Sequence, residues 1–274
     1  MKEAFIIGKD VSKGARSPIL WNACFEHFKI DARMNPVDIS NDQELNIFLN
    51  QQVDNPNFLG AAVASPIKES VSEYFIENFS LDFYGPANCF YREDNNFNIL
   101  NTDTLAALET INLSFPDLNF KDIAILGSGA VAKSMAFSLR EHKARKTIYA
   151  RSNDSFATVQ EFNFSCKDFA EINSNLGNHQ IIVNCTDVGR DGNSDQSPIE
   201  PSNFSEQLAE NLFIFDINYI DSPSALLRAC KSNGIPCVDG SRMNLMQAAI
   251  AFGKANNLSS IQNEILSVME DAIS

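Results

Sequence analysis

The sequence is poor in the residues on which metal and redox chemistry depends. Its 274 residues include only three histidines, none paired at a spacing that grips zinc or iron, so no protein-bound metal is expected. The six cysteines, Cys24, Cys89, Cys166, Cys185, Cys230 and Cys237, form no C-x-x-C pair. They belong to no small secreted scaffold, which predicts reduced, mostly buried thiols. No apolar run reaches the length needed to cross a bilayer, and the N-terminal MKEAFIIGKD is too short for a signal-peptide core. Cytoplasmic residence is the expectation. Cations are also scarce, with 21 Lys and Arg against 35 Asp and Glu and a formal net charge of -14. Nucleic acid is therefore not an expected partner, because phosphate binding needs a basic face. By the same reasoning, an anionic substrate would need local cations held against a repulsive global field.

What remains is an ordinary globular chain, 44% apolar, with no Pro, Ser or Gly tract and no long linker. Its first third alternates short apolar runs with helical patterns: AFIIG, Pro18 to His27, ARMNPVDI, Asp42 to Val53, FLGAAVA and Ile67 to Glu77. That order predicts βαβαβα. A strand-like piece at Ala87 to Tyr91 leads through the polar turn EDNN to NILNTD and a helix from near Thr104, with a break at Pro116. From Asp122 a second series runs through DIAIL, a helix from Ala130 to Glu141, KTIYA, QIIVNCT, LFIFDINY and IPCVDG. Apolar runs separated by helices predict parallel strands buried on both faces. After Asp239 the pattern is helical to the end. The expected fold is a two-domain α/β protein divided as 1–103, 104–238 and 239–274, the last segment being helices that return to the first domain.

The fragment DIAILGSGAVAKSMAFSL reads as strand, glycine turn and helix, the context that lifts G-x-G-x-x-A above a chance match. Gly127 allows the tight turn, Gly129 lets a pyrophosphate approach the backbone, and Ala132 stands where helix and strand pack closely. Ser128, Ala130 and Val131 complete the turn, and the helix N-terminus turns its free N–H groups and positive dipole end to the phosphates. The next strand ends in Arg151-Ser152, where an NAD-preferring protein places an acidic residue for the ribose 2′-hydroxyl. A guanidinium there pairs with a 2′-phosphate and stacks beside adenine, which favours NADP as cofactor. Lys133 and Lys146 read as surface charges.

Four further segments, SPILWN at 17–22, GAAVASPIK at 60–68, NTD at 101–103 and DGSRMNLMQAA at 239–249, join GSGAVA and YARS in order and spacing. Together they resemble the shikimate dehydrogenase family across nearly the whole chain, and in detail its divergent shikimate dehydrogenase-like branch. The resemblance implies an N-terminal α/β substrate-binding catalytic domain, a Rossmann-type NADP-binding domain, and NADP-linked reduction of the ring ketone of 3-dehydroshikimate or a related hydroxylated cyclic carboxylate, in aromatic amino acid biosynthesis. It implies a small-molecule partner, no nucleic acid or membrane, and a monomer or homodimer. Lys68 matches the lysine of the family's N-V-T-x-P-x-K segment and Asp103 the aspartate of its N-T-D segment, its catalytic pair. An ammonium suits a carbonyl oxygen that gains negative charge as hydride arrives, because it stabilises that charge and delivers a proton. A carboxylate beside a lysine favours the ammonium form and orients it.

Asn88, Gln247, Tyr219 and Ser17 match family residues that contact substrate. Amides at Asn88 and Gln247 can donate and accept at once. Thr186 and Met243 join the implied cofactor set. Four positions depart from the family pattern. Ala15 replaces the first serine of H-S-x-S-P, with Arg16 or Lys13 as alternative cations; Ala62 and Ala64 replace the Asn and Thr of N-V-T-x-P-x-K; and Arg242 replaces a glycine. Losing such donors relaxes recognition of hydroxyl groups. The departures leave a second reading, an NADP-binding sensor without catalysis.

Overall fold

The computed structural model describes residues 1–114, 118, 121–151, 160, 162–189, 195–218 and 222–274. They form two compact units, residues 1–106 with 244–274, and residues 107–243. Among the described residues the helices of eight residues or more are, in chain order, α1 (Ser17–His27), α2 (Asp42–Asp54), α3 (Lys68–Phe79), α4 (Thr102–Ser114), α5 (Ala130–Leu139), α6 (Ala225–Ser232), α7 (Ser241–Ala255) and α8 (Gln262–Asp271). None is long and apolar enough to cross a membrane.

The first unit is built on a five-stranded sheet in the order β2-β1-β3-β4-β5. β1 (Lys2–Gly8) runs parallel to β2 (Ala32–Asp38) and β3 (Phe58–Val63), and β4 (Cys89–Glu93) and β5 (Asn96–Leu100) add an antiparallel hairpin. Side chains alternate across a strand, so Phe5 and Ile7 face one side while Ala4 and Ile6 face the other. A register shift between Glu3 and Ala4, which skips Leu59, puts Phe58 on the same side as Ala61 and Val63. On that side α2 and α3 contribute Leu45, Phe48, Leu49, Val71 and Phe75. Phe58 stacks on Phe90 at 5.4 Å, and Phe75 meets Phe90 at 5.0 Å. Each fully buried ring contributes roughly 1.5–3 kcal/mol.

The opposite face is covered by α1, α7 and α8. Trp21 and Phe25 of α1 meet Phe252 of α7 at 5.3 and 5.2 Å, and the Cys24 thiol lies 3.9 Å from the Ile265 carbonyl. α7 lies close because β3 carries Gly60 at the crossing, where a Cβ would come within 3.2 Å of Ala255. Local signals set the helix starts. The Asn41 side chain accepts the Glu44 N–H at 2.9 Å and the Glu44 carboxylate accepts the Ser40 N–H at 2.8 Å, a reciprocal cap worth about 1 kcal/mol. Asn101 accepts the Thr104 N–H at 3.0 Å, so α4 begins at Thr102, two residues before the expected start. Ser17 is the first residue of α1, and the cap position is Arg16, with no side-chain cap bond.

The second unit has six parallel strands in the order β11-β10-β9-β6-β7-β8. They are β6 (Asp122–Leu126), β7 (Arg145–Ala150), β8 (Ser165–Asp168), β9 (Ile181–Asn184), β10 (Phe213–Asp216) and β11 (Cys237–Val238). The first and fourth strands of this series, β6 and β9, are neighbours, so the winding reverses between them, as in dinucleotide-binding sheets. β8 escaped the sequence pattern because a four-residue edge strand with no fully buried side chain carries no apolar run. Lys146 corrects another expectation. It is 6% exposed, and its ammonium donates to the carbonyls of Leu139, Arg140 and His142 at 3.1, 3.0 and 3.3 Å. A buried cation here completes the C-terminal end of α5, whose last carbonyls have no intrahelical donors. All six cysteines are free thiols; Cys24, Cys89 and Cys230 are buried and the other three half-buried.

Candidate active site

In the first unit four chain segments meet at one edge of the sheet. The turn after β1 leads to α1, the turn after β3 leads to α3, β4 starts there, and β5 ends there because the hairpin returns it parallel to β3. Ser17, Lys68, Asn88 and Asp103 are therefore all residues at the C-terminal edge of the parallel strands, where open α/β sheets bind ligands.

Lys68 opens α3 and Asp103 is the second residue of α4, and Nζ donates to Oδ2 at 2.6 Å. Both side chains are about one-fifth exposed, at 22% and 21%. The pair is reachable from solvent yet mostly shielded. Its backbone is tied to the neighbouring segment by the Ala87 N–H, which donates to the Lys68 carbonyl at 3.1 Å. Asn88 follows, 4% exposed. Its Oδ1 accepts the Thr102 N–H at 2.7 Å, and its Nδ2 donates to the Thr102 hydroxyl at 2.9 Å and to Gln247 Oε1 at 3.4 Å. Thr102, wholly buried, also donates to Gln247 Oε1 at 3.3 Å. Asn88 is thus engaged on all sides within the protein, and it meets a substrate only by giving up the long contact to Gln247. The Gln247 oxygen is held inward, which turns its amide N–H₂ outward as a donor. Thr102 was not singled out in the sequence, although its place between Asn101 and Asp103 was the available signal.

The Ser17 hydroxyl has no hydrogen-bond partner among the described residues. Lys13 is paired with Asp10 at 2.8 Å, whereas Arg16 is exposed and makes no ion pair among the described residues. The Val11–Lys13 turn is pinned by Asp38, which accepts the Ser12 N–H at 2.9 Å and its hydroxyl at 2.5 Å, and these bonds hold the carboxyl below its ordinary range. Arg242 is exposed at the start of α7. Tyr219 lies outside the described residues.

In the second unit a cavity of about 460 Å³ opens where the winding reverses. Of the expected cofactor residues, Gly127, Ser128, Gly129, Arg151 and Thr186 line it. Gly127 sits at φ 103°, a conformation open to glycine, and a Cβ there would come within 3.1 Å of the Thr186 methyl. A Cβ on Gly129 would point into empty space, so the backbone is bare on the cavity side. α5 starts from Gly129 with no side-chain cap, leaving first-turn N–H groups free for an anion. Bare backbone, uncapped helix and an exposed guanidinium at Arg151 together fit a phosphorylated dinucleotide. Ala132 is buried against the sheet and Met243 is buried in α7; neither lines the cavity, nor does Val131. Ser152 and the Ala130 side chain lie outside the description. Phe169, Cys185, Asp187, Val188 and Gln196 also line the cavity and were missed. Phe169 and Cys185 directly follow β8 and β9, a position that marks such residues once the strands are known.

The chain is similar to known proteins over both units. A family model described as the shikimate dehydrogenase substrate binding domain matches residues 6–80. A shikimate dehydrogenase (NADP(+)) of Clostridium botulinum is 27% identical over 251 residues, covering 90% of this chain and 94% of the relative. One from Prochlorococcus marinus is 28% identical, covering 98% and 95%. The crystal structure of shikimate 5-dehydrogenase from Thermus thermophilus in complex with NADP(H) and shikimate superimposes with a TM-score of 0.80 at 21% identity, covering 99% of this chain and all of that one. Over nearly its whole length this chain is thus similar to shikimate dehydrogenases, and its N-terminal part matches their substrate binding domain.

Proposed function

We propose that the protein is an NADP-dependent oxidoreductase that interconverts a ring hydroxyl and a ring ketone on shikimate and 3-dehydroshikimate or a closely related cyclic carboxylate. The observation that carries this reading is the Lys68–Asp103 pair, joined at 2.6 Å and open to solvent, in a chain that also holds a bare glycine turn fit for a dinucleotide.

The dinucleotide supplies hydride, and its phosphates are held by the Gly127–Gly129 turn, the N-terminus of α5 and Arg151. The protein's own residues manage the proton. As a ketone is reduced, negative charge builds on its oxygen; Lys68 Nζ stabilises that charge and gives up a proton to it. In the direction of oxidation the same nitrogen takes the hydroxyl proton. Asp103 Oδ2 aims the ammonium, and its second oxygen is free to accept from a neighbouring ring hydroxyl. Asn88 and Thr102 fix the Gln247 amide so that it donates to a substrate oxygen. Ser17 and Tyr219 are assigned to the substrate carboxylate, and Arg16 is the cation free to assist them.

Steady-state assays of the purified chain with NADP and shikimate, quinate and related acids test the proposal. Turnover with one of them and a marked preference for NADP over NAD are expected. NADPH binding with no turnover of any would favour the sensor reading and refute the enzymatic one.

A further inference from the structure

The second unit buries a carboxylate that these roles leave unused. Asp216, the last residue of β10, has no exposed surface. Burial pushes its carboxyl above the ordinary range, against the hydrogen bonds it receives. Oδ2 accepts the Ser224 hydroxyl at 2.7 Å, and Oδ1 accepts Asn184 Nδ2 at 3.0 Å and the Asn218 N–H at 3.2 Å. Asn184, wholly buried at the end of β9, points its own Oδ1 at Thr186, where it accepts the backbone N–H at 3.1 Å and the hydroxyl at 2.7 Å. The Thr186 hydroxyl in turn accepts the Val188 N–H at 3.2 Å. From the other side Asn218 Nδ2 donates to the carbonyls of Thr186 and Val188 at 2.9 and 3.3 Å.

The Asn184 amide is oriented from three sides: Asp216 Oδ1 and, at 3.4 Å, the Val188 carbonyl accept from its N–H₂, and the Thr186 N–H donates to its oxygen; the shortest bond to the N–H₂ is the one to Asp216. An ionised carboxylate only accepts, so Asn184 must turn its N–H₂ toward Asp216 and its oxygen toward Thr186. That direction places the Thr186 methyl against the Gly127 turn and sets the cavity wall formed by Thr186 and Val188. We infer that Asp216 is the positioning residue of the dinucleotide cavity, acting through Asn184 to fix the 186–188 turn before any ligand arrives. The inference rests on the NADP reading of that cavity.

Asp216→Asn keeps the volume but offers Asn184 either a donor or an acceptor, so the Asn184 amide can reverse and present N–H₂ to the Thr186 N–H. In the full chain, titration of NADPH by fluorescence is expected to show a Kd raised about tenfold. The KM for NADPH rises with it while kcat changes less than twofold, a split that general loosening would not give. Amide exchange at residues 185–188 of the ligand-free protein should accelerate. Thr186→Val alone should weaken binding by a similar factor, and the double variant should bind no more weakly than the weaker of the two single variants. Wild-type Kd in a folded Asp216→Asn protein, or losses that multiply in the double variant, would overturn the inference. Should Asp216→Asn not fold, Thr186→Val carries the test, and an unchanged Kd there overturns it. A wild-type chain that binds no NADPH instead refutes the cofactor reading itself, which separates the two failures.

Discussion

Replacing Lys68 with methionine keeps most of the side-chain stem and removes the ammonium. If Nζ is the proton donor, kcat should fall by about 10²–10⁴, the usual worth of a positioned general acid, or roughly 3–5 kcal/mol of barrier. The cost to stability should be far smaller. Both members of the pair are about one-fifth exposed, so the Asp103 left behind can recruit water. The loss then lies near 1 kcal/mol, toward the value of a screened pair rather than the 3–5 kcal/mol of a fully buried one. For a chain of this size that corresponds to a shift in Tm of roughly 2–4 °C. The assay is kcat and kcat/KM with NADPH and 3-dehydroshikimate, beside a thermal melt of the same preparation. Asp103→Asn keeps an oxygen facing Lys68 and should lose less, roughly 10- to 100-fold. Because the two act as one device, the double variant should be no slower than Lys68→Met alone. A folded Lys68→Met protein with kcat within tenfold of wild type would refute the reasoning, and so would losses that multiply in the double variant.

Arg151→Ala should raise the KM for NADPH about tenfold or more and leave that for NADH nearly unchanged, since only a 2′-phosphate uses the guanidinium; equal effects on both would remove the assignment. His179 is 8% exposed and its Nε2 lies 2.8 Å from the Tyr149 hydroxyl, and burial lowers its pKa below 6.5. Below that value the unfolded chain takes up a proton that the folded chain resists, so stability is present at neutral pH and drains away as the solution is acidified. Urea melts at pH 7.5 and pH 5 should show that slope, and His179→Gln should flatten it. Phe75→Ala should cost about 3–5 kcal/mol in urea unfolding, because Phe75 is 1% exposed and touches Phe90 and Phe97 at 5.0 and 5.4 Å.

The glycine turn was legible because its residues answer to backbone demands: a left-handed φ at Gly127 and bare space at Gly129 leave few alternatives in sequence. Lys68 and Asp103 were legible only as members of motifs, since an isolated Lys and Asp 35 residues apart say nothing about a 2.6 Å contact. What stayed hidden depends on partners distant in the chain. Lys146 looked like a surface charge between polar neighbours until the carbonyls ending α5 were seen to surround it. Asn88 read as a substrate contact through its motif, and nothing in the sequence showed that Thr102 and Gln247 already bond its amide. Asp216 sat in an apolar run whose pattern gave no hint that Asn184, Asn218 and Ser224 converge on its carboxylate.

The first unit is made of two stretches of chain, residues 1–106 and 244–274, with 107–243 between them, and this arrangement bears on how the protein is born. A ribosome that has finished the first sheet must still translate the intervening stretch before α7 emerges to cover Trp21 and Phe25. At ordinary elongation rates that takes roughly 7–30 s. Throughout that interval one face of the nascent sheet stands open to water and to other chains. The period of greatest aggregation risk, and of greatest demand on holding chaperones, thus falls after the first sheet is translated and ends only when α7 and α8 leave the exit tunnel.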